Sequence, residues 1–317
     1  METTYTQQID EKTGEIKYVP NTPPPPPPQG GNEKTERQSA IEREVESEMG
    51  DVDYTPDPNL SETLDNLLNN AKRLRYDRRL ETGKLDGRRL TAYKTSKRLF
   101  KKKAINKRNY QFTFLLDTSG SMLYEHDDNG KSRMAMAMDA VARTVKALDE
   151  VDVQSSIFAM NSAFTEIKPF EDTFDDEAFT ERVKASISGV YEDEGREVHN
   201  AGGTSEWVAY EQTIAYLKDH THNGRTNVVI VLSDGEPGVK TETTPVKLLG
   251  QETVFVPTQR VNNRVQNLAK FWDNQTAVKA FGIGIQQKAK QVPTNKVVDD
   301  VSTLPSVLSN LLTELML

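Results

Sequence analysis

Residues 112–122 read Phe-Thr-Phe-Leu-Leu-Asp-Thr-Ser-Gly-Ser-Met, FTFLLDTSGSM. An apolar run of this length, with no helical period and ending at an aspartate, predicts a strand buried on both faces. Directly after it come two serines, two positions apart, around a glycine. A buried strand that opens into a loop dense with hard oxygen donors is the start of an α/β domain with a site at the strand's carboxyl end.

Downstream, the pattern keeps alternating. Strands are predicted at 111–117, 152–159, 226–232 and 277–285, with a short antiparallel edge strand at 165–170. Helical stripes lie between and after them: Met134, Met138, Val141, Val145 and Leu148; then Trp207, Tyr210, Ile214 and Leu217; then Val261, Val265, Leu268 and Trp272; and last Leu304, Val307, Leu308, Leu311 and Leu315. Strands alternating with helices imply an α/β fold, a doubly wound and mostly parallel sheet covered on both faces. The methionines read as core filling, a role their flexible side chains suit.

Upstream, the composition changes twice. Residues 1–60 carry 13 acidic and 5 basic side chains, residues 61–110 carry 5 and 16, and residues 111–317 carry 30 and 19. Residues 1–59, with six consecutive prolines at Pro23–Pro28, read as a disordered acidic tail containing a polyproline II spacer. Residues 60–109 read as a basic helical linker. Leu60, Leu64, Leu67, Leu68, Ala71 and Leu74 recur at helical spacing, and Gly83 and Gly87 interrupt the basic stretch after Leu74. The third segment, 110–317, is the α/β domain. The basic block within 72–108 has the charge to meet phosphates, so nucleic acid is one candidate partner; pairing with the acidic remainder of the chain or with an acidic protein is the favoured reading.

Bulk properties exclude several classes. The 317 residues include no cysteine, which removes disulfides and thiolate metal sites. No stretch approaches the roughly 18 apolar residues of a membrane helix. The first residues lack a basic-then-apolar signal pattern. A cytoplasmic protein is the expectation. With 35% hydrophobic residues and a mean hydropathy of -0.67, part of the chain is expected to stay outside a packed core.

Three segments are predicted to meet at the carboxyl ends of the strands: Asp117-Thr118-Ser119-Gly120-Ser121, Gly202-Gly203-Thr204-Ser205 and Ser233-Asp234-Gly235-Glu236-Pro237. Within them Asp117 and Asp234 offer two carboxylates, and Ser119, Ser121 and Thr204 offer three hydroxyls. An oxygen-only, partly hydrated set suits Mg²⁺ or Mn²⁺ rather than zinc. Asp117, Ser119, Ser121, Thr204 and Asp234 are therefore the candidate metal ligands, Asp234 directly or through water. One coordination position is left for water or an outside carboxylate.

Asp117-x-Ser119-x-Ser121, then Thr204, then Asp234 resembles the metal-ion-dependent adhesion site of von Willebrand factor A (vWA) domains. A narrower resemblance lies in Leu80-Glu81-Thr82-Gly83-Lys84-Leu85-Asp86-Gly87-Arg88-Arg89-Leu90, Leu99-Phe100-Lys101 and FGIGI at 281–285. These are similar to the C-terminal part of CobT-type cobaltochelatase subunits, with FGIGI as the last core strand. That resemblance implies a non-catalytic adaptor working with a MoxR-like AAA+ ATPase and a target protein that offers a carboxylate to the metal. Compact chains of this type also occur in phage genomes, so the resemblance implies remodelling of another protein as readily as cobalt insertion. The chain has no G-x-x-x-x-G-K-[ST] phosphate loop, in keeping with an adaptor rather than a motor. A stand-alone adhesion or scaffold module is the alternative.

Remaining candidates read as ordinary surface. His126, Asp127 and Asp128 fall in a loop beside the site and Glu192-Asp193-Glu194 form an acidic cluster; both are taken as solvated. His220 is expected to cap a helix C-terminus. Ser119 has no sequence-placed base and no G-x-S-x-G context for nucleophilic chemistry.

Overall fold

A computed structural model describes residues 5–9, 16–20, 36–49, 75–80, 84–85, 100–104 and 109–298. The last stretch has breaks at 125, 127–129, 194, 221–224, 236–237, 240, 277 and 286–287, and scattered positions are described at 52–62 and 303–314. The chain divides into two compact units, Met1–Ser39 and Ala40–Leu317. In the first, β1 (Tyr5–Ile9) and β2 (Ile16–Pro20) form an antiparallel pair. The proline run lies outside the described residues.

The second unit is built on an eight-stranded sheet. Its strands are β6 (Asn109–Asp117), β7 (Ser155–Met160), β8 (Phe164–Lys168), β11 (Arg225–Ser233), β12 (Thr243–Lys247), β13 (Val254–Pro257), β14 (Val278–Ile285) and β15 (Asn295–Val298), in the order β13-β12-β8-β7-β6-β11-β14-β15. Pairings are parallel except β7–β8 and β12–β13. A separate antiparallel hairpin, β9 (Val190–Asp193) and β10 (Arg196–His199), leads into the Gly202-Gly203 turn. The predicted strand at 165–170 is antiparallel as expected but is not an edge, because β12 and β13 extend the sheet beyond it. FGIGI is likewise not the last strand, since β15 pairs alongside it. Among the described residues, no helix is long and apolar enough to cross a membrane.

Strand periodicity explains the two cores. Phe112, Phe114 and Leu116 point to one face of β6, where they join Met134, Met138, Val141 and Val145 of α3 (Arg133–Glu150) and Phe179 and Val183 of α4 (Asp176–Ser188). Leu115 points to the opposite face and joins Tyr210, Ile214 and Leu217 of α5 (Glu206–His220) and Leu268 and Trp272 of α6 (Val265–Asp273). Both faces of β6 are thus apolar, and the strand reads as a continuous hydrophobic run. Val261, placed by its spacing on the third stripe, lies before α6 begins and is exposed.

The basic linker differs from expectation. In place of a helix, the described residues form a three-stranded antiparallel sheet of β3 (Arg75–Leu80), β4 (Lys84–Leu85) and β5 (Phe100–Ala104), with β5 in the middle. The apolar helical period ends at Leu74, and from Arg75 onward nothing favours a helix over cross-strand pairing, in which Leu80 and Leu85 both meet Phe100. The apolar stripe from Leu60 to Leu74 lies outside the described residues.

The segment read as a disordered tail also contains a described helix, α1 (Glu36–Met49). Val45 on it is only 1% exposed and belongs to the core that includes α3 and α4. Burying a valine is worth about 1.5–3 kcal/mol, more than the ~0–1 kcal/mol of an exposed ion pair. Ile41, Val52 and Tyr54 pack partly buried against the same core, so several apolar anchors hold a segment whose composition is acidic.

Gly282 in β14 shows a packing demand. A Cβ built there would lie 2.9 Å from the Ala289 Cβ and 3.1 Å from that of Val292, so the 289–295 segment crosses directly over the strand. Gly282→Ala is expected to lower stability by about 1–3 kcal/mol through overpacking, measurable as a fall in the denaturation midpoint with no loss of α/β circular dichroism.

Candidate functional site

Sheet order creates the site. From β6 the chain continues to β7 on one side, while β11 pairs on the other, so a crevice opens at the carboxyl ends between β6 and β11. The register pairs Leu116 with Leu232, which leaves Asp117 level with Ser233. Ser233 Oγ donates to Asp117 Oδ2 at 2.6 Å, and the Ser119 backbone N–H donates to Asp117 Oδ1 at 3.0 Å. Asp117 is thereby fixed by both oxygens at the strand's end.

From there a polar chain runs outward. Ser119 Oγ and Ser121 Oγ are 3.1 Å apart, and Ser121 Oγ donates to Asp234 Oδ1 at 3.1 Å. Ser121 belongs to a short helix, α2 (Gly120–Tyr124), rather than to the open loop expected. The one-turn helix still brings the two hydroxyls together. Asp117, Ser119, Ser121 and Asp234 thus form one continuous hydrogen-bonded group. Thr204 arrives by its backbone: its N–H donates to Gly238 O at 2.7 Å. A Cβ at Gly203 would lie 2.5 Å from that same oxygen, so the Gly-Gly turn is what lets these two loops touch.

Three contributors escaped the sequence reading. Arg133, the first residue of α3, donates from Nη1 to Asp234 Oδ2 at 3.2 Å. Ser132 caps α3, accepting from the Ala135 N–H, and a bridge pairs it with His126, which places Arg133 at the start of α3 beside the site. Asn161 ties the loops together. Its amide nitrogen donates to Thr118 Oγ1 at 2.8 Å and to Ser186 O at 3.0 Å, and its backbone carbonyl accepts from the Ser205 N–H at 2.8 Å. Glu206, in the first turn of α5, is 1% exposed, and its Oε2 has no hydrogen-bond partner. A basic residue at a helix start, a lone Asn after a strand and a Glu two residues past Thr204 carry no distinctive pattern.

Burial opposes ionisation of the carboxyls gathered here. Asp117, Glu206 and Asp234 are 2%, 1% and 3% exposed. Burial, then the charge of Asp234, pushes the Asp117 carboxyl up to about 6 against the hydrogen bonds of Ser233 and Ser119. Burial raises Asp234 despite its bonds to Ser121 and Arg133, and burial followed by the Asp117 charge raises Glu206 well above the usual carboxylate range. Among the described residues, no three His, Asp or Glu side chains converge as a ready ligand set. The candidate set depends instead on two carboxylates with hydroxyls, the donor chemistry of a hard divalent ion. The residues fit Mg²⁺ or Mn²⁺ in chemistry: oxygen donors only, buried negative charge, and a single guanidinium bonded to Asp234.

Other expectations divide. His220 caps the end of α5, its Nδ1 2.8 Å from Tyr216 O. Asp193 is not solvated: it accepts from the Glu242 N–H at 2.9 Å and the Thr243 hydroxyl at 2.7 Å, and the first of these bonds leads in holding its carboxyl below the usual range. His126 meets Glu48 rather than the site, and Asp127 and Asp128 lie outside the described residues.

The pH consequence has a definite sign. A carboxyl whose folded pKa lies above its unfolded value binds more protons when folded, so stability falls as pH rises between the two. In EDTA, the unfolding free energy should decline from about pH 4 to about pH 6 by roughly 3 kcal/mol from Asp117 alone, at ~1.4 kcal/mol per pKa unit. Asp117→Asn should flatten that decline in a urea titration series. Asn161→Ala, which strands several buried groups, should cost about 1–3 kcal/mol at every pH.

Residues 112–236 match the family model for the von Willebrand factor type A domain. Solved structures similar to the chain include a von Willebrand factor type A protein from Catenulispora acidiphila, 15% identical, with a TM-score of 0.41, covering 66% of this chain and 43% of that one. The PilB minor pilin from Streptococcus sanguinis is 13% identical, TM-score 0.44, covering 66% and 61%. BatB from Bacteroides thetaiotaomicron is 14% identical, TM-score 0.43, covering 65% and 98%. This chain spans less than half the length of the first matched structures. No curated protein matches it. The mostly parallel sheet and the helices on both faces agree with the von Willebrand factor type A domain that residues 112–236 match.

Proposed function

We propose that the chain is a metal-dependent protein-interaction subunit whose vWA domain holds Mg²⁺ or Mn²⁺ through Asp117, Ser119, Ser121, Thr204 and Asp234. The observation that carries this reading is the hydrogen-bonded group Asp117, Ser119, Ser121 and Asp234 at the β6–β11 crevice, with its buried and poorly compensated carboxylates. Protein-interaction modules are a common use of this domain type. A bound divalent ion supplies a Lewis-acidic anchor for a carboxylate from another protein. Asp117 and Asp234 would offset its charge, Ser119 and Ser121 would offer hydroxyl oxygens, and Arg133 fixes Asp234 by its hydrogen bond.

The similarity to CobT-type subunits supports a finer reading: an adaptor joining a MoxR-like AAA+ ATPase to a target protein. In this reading the chain carries no hydrolytic chemistry of its own. It presents the metal, and the motor supplies the work.

Two measurements test this. Titration calorimetry should show saturable Mg²⁺ or Mn²⁺ binding by the wild-type chain, lost in Asp117→Ala and weakened at least tenfold in Ser121→Ala. Binding should also weaken as pH falls below about 6, where Asp117 takes up its proton. A pull-down with the purified chain in Mg²⁺ should retain an AAA+ ATPase that EDTA releases. An ATPase held equally in EDTA places the interface elsewhere, and no metal binding at all overturns the reading.

A further inference from the structure

The side of the domain formed by α2, α3 and α4 carries a helix. Val45 of α1 sits in the core shared with α3 and α4, and Ile41, one helical turn before it, packs partly buried against the same cluster, as do Val52 and Tyr54. Ile41 and Val45 are spaced i, i+4, the spacing by which an amphipathic helix anchors in a groove.

The polar contacts around these anchors are complementary in kind. Lys184 Nζ lies 3.1 Å from Glu46 Oε1, His126 Nε2 lies 3.0 Å from Glu48 Oε2, and the Tyr124 hydroxyl donates to Glu44 Oε1 at 3.3 Å. Lys146 Nζ donates to the Tyr54 carbonyl at 2.8 Å and stands 5.4 Å from the centre of its ring, while the Tyr54 hydroxyl meets Thr180. The surface thus presents an apolar seat with cationic and hydroxyl groups beside it. The segment presents apolar anchors flanked by glutamates.

We propose that this face is a docking surface for an acidic amphipathic helix, and that α1, through Ile41 to Glu48, with Val52 and Tyr54 of the same chain, is its resident, displaceable occupant. The partner it fits in trans is a helix of the same chemistry: two aliphatic anchors one turn apart, flanked by carboxylates. The contacts reach Tyr124 and His126, three and five residues beyond Ser121. An exchange of occupants here therefore acts on the segment that carries the candidate metal loop. The proposal does not depend on metal binding.

Tethering makes the prediction quantitative. A segment on the same chain competes at an effective concentration on the order of millimolar. A free peptide should therefore be shut out of the wild-type chain and admitted once the resident helix is released. The probe is a fluorescent peptide of residues 36–55, followed by anisotropy against full-length chains. Val45→Asp removes the anchor. A second chain carrying Glu44→Lys, Glu46→Lys and Glu48→Lys alters surface positions only and keeps the core intact. The peptide should bind both variants at least tenfold more tightly than wild type. A peptide that itself carries Val45→Asp should bind none of them. Equal binding to wild type and variants overturns the proposal, because the segment would then not occupy the surface. Absence of binding to the charge-reversed chain, with its circular dichroism and melting unchanged, also overturns it.

Discussion

The parallel pairing of β6 with β11 is the constraint on which the rest of this molecule depends. It places Asp117 level with Ser233 at the carboxyl end of the sheet, and Asp234 one residue beyond. Two carboxylates from segments more than a hundred residues apart are thereby held at one crevice, each fixed by hydrogen bonds to serine. The same pairing buries both strands on both faces, which demands helices on each side and so determines the two cores.

Bringing those carboxylates together has an electrostatic cost that the fold meets only in part. Arg133 compensates Asp234, and hydroxyl and amide donors fix Asp117, yet Asp117 and Glu206 stay raised toward their neutral forms. Buried charge persists in proteins when it is paired or binds a metal. Rigidity at the same place comes from Asn161, whose hydrogen bonds join the loop after β6, the end of α4 and the start of α5. The site is thus strained in charge but held in position by its hydrogen bonds.

Local signals are readable where one element determines its own pattern. The strands at 111–117, 226–232 and 277–285 and the Met134–Leu148 stripe need only period and burial, and all lie where the sequence places them. Signals fail where a neighbour decides. β12 and β13 are short and gain their place from pairing with β8 and with each other, so nothing in Thr243–Pro257 alone announces them. Arg75–Ala104 carries a basic run with no clear period of its own, and pairing across strands decides its structure. α1 looks disordered because composition averages over the few apolar residues, Val45 and Ile41, that pack it against the core.

The candidate site divides the same way. Asp117, Ser119, Ser121, Thr204 and Asp234 are legible because their spacing follows strands that announce themselves. Residue identity and local period are enough to read the fold class and to name the oxygen-bearing side chains of the candidate site. Four further features exist only in the folded chain: Arg133 reaches Asp234, Glu206 is buried within the field of the Asp117 charge, Asn161 joins the loop after β6 to the end of α4 and the start of α5, and Val45 packs an acidic helix into the core. Each of these is a contact across long chain separation. Its energy exists only once the sheet order has brought the partners together, and no local pattern encodes it.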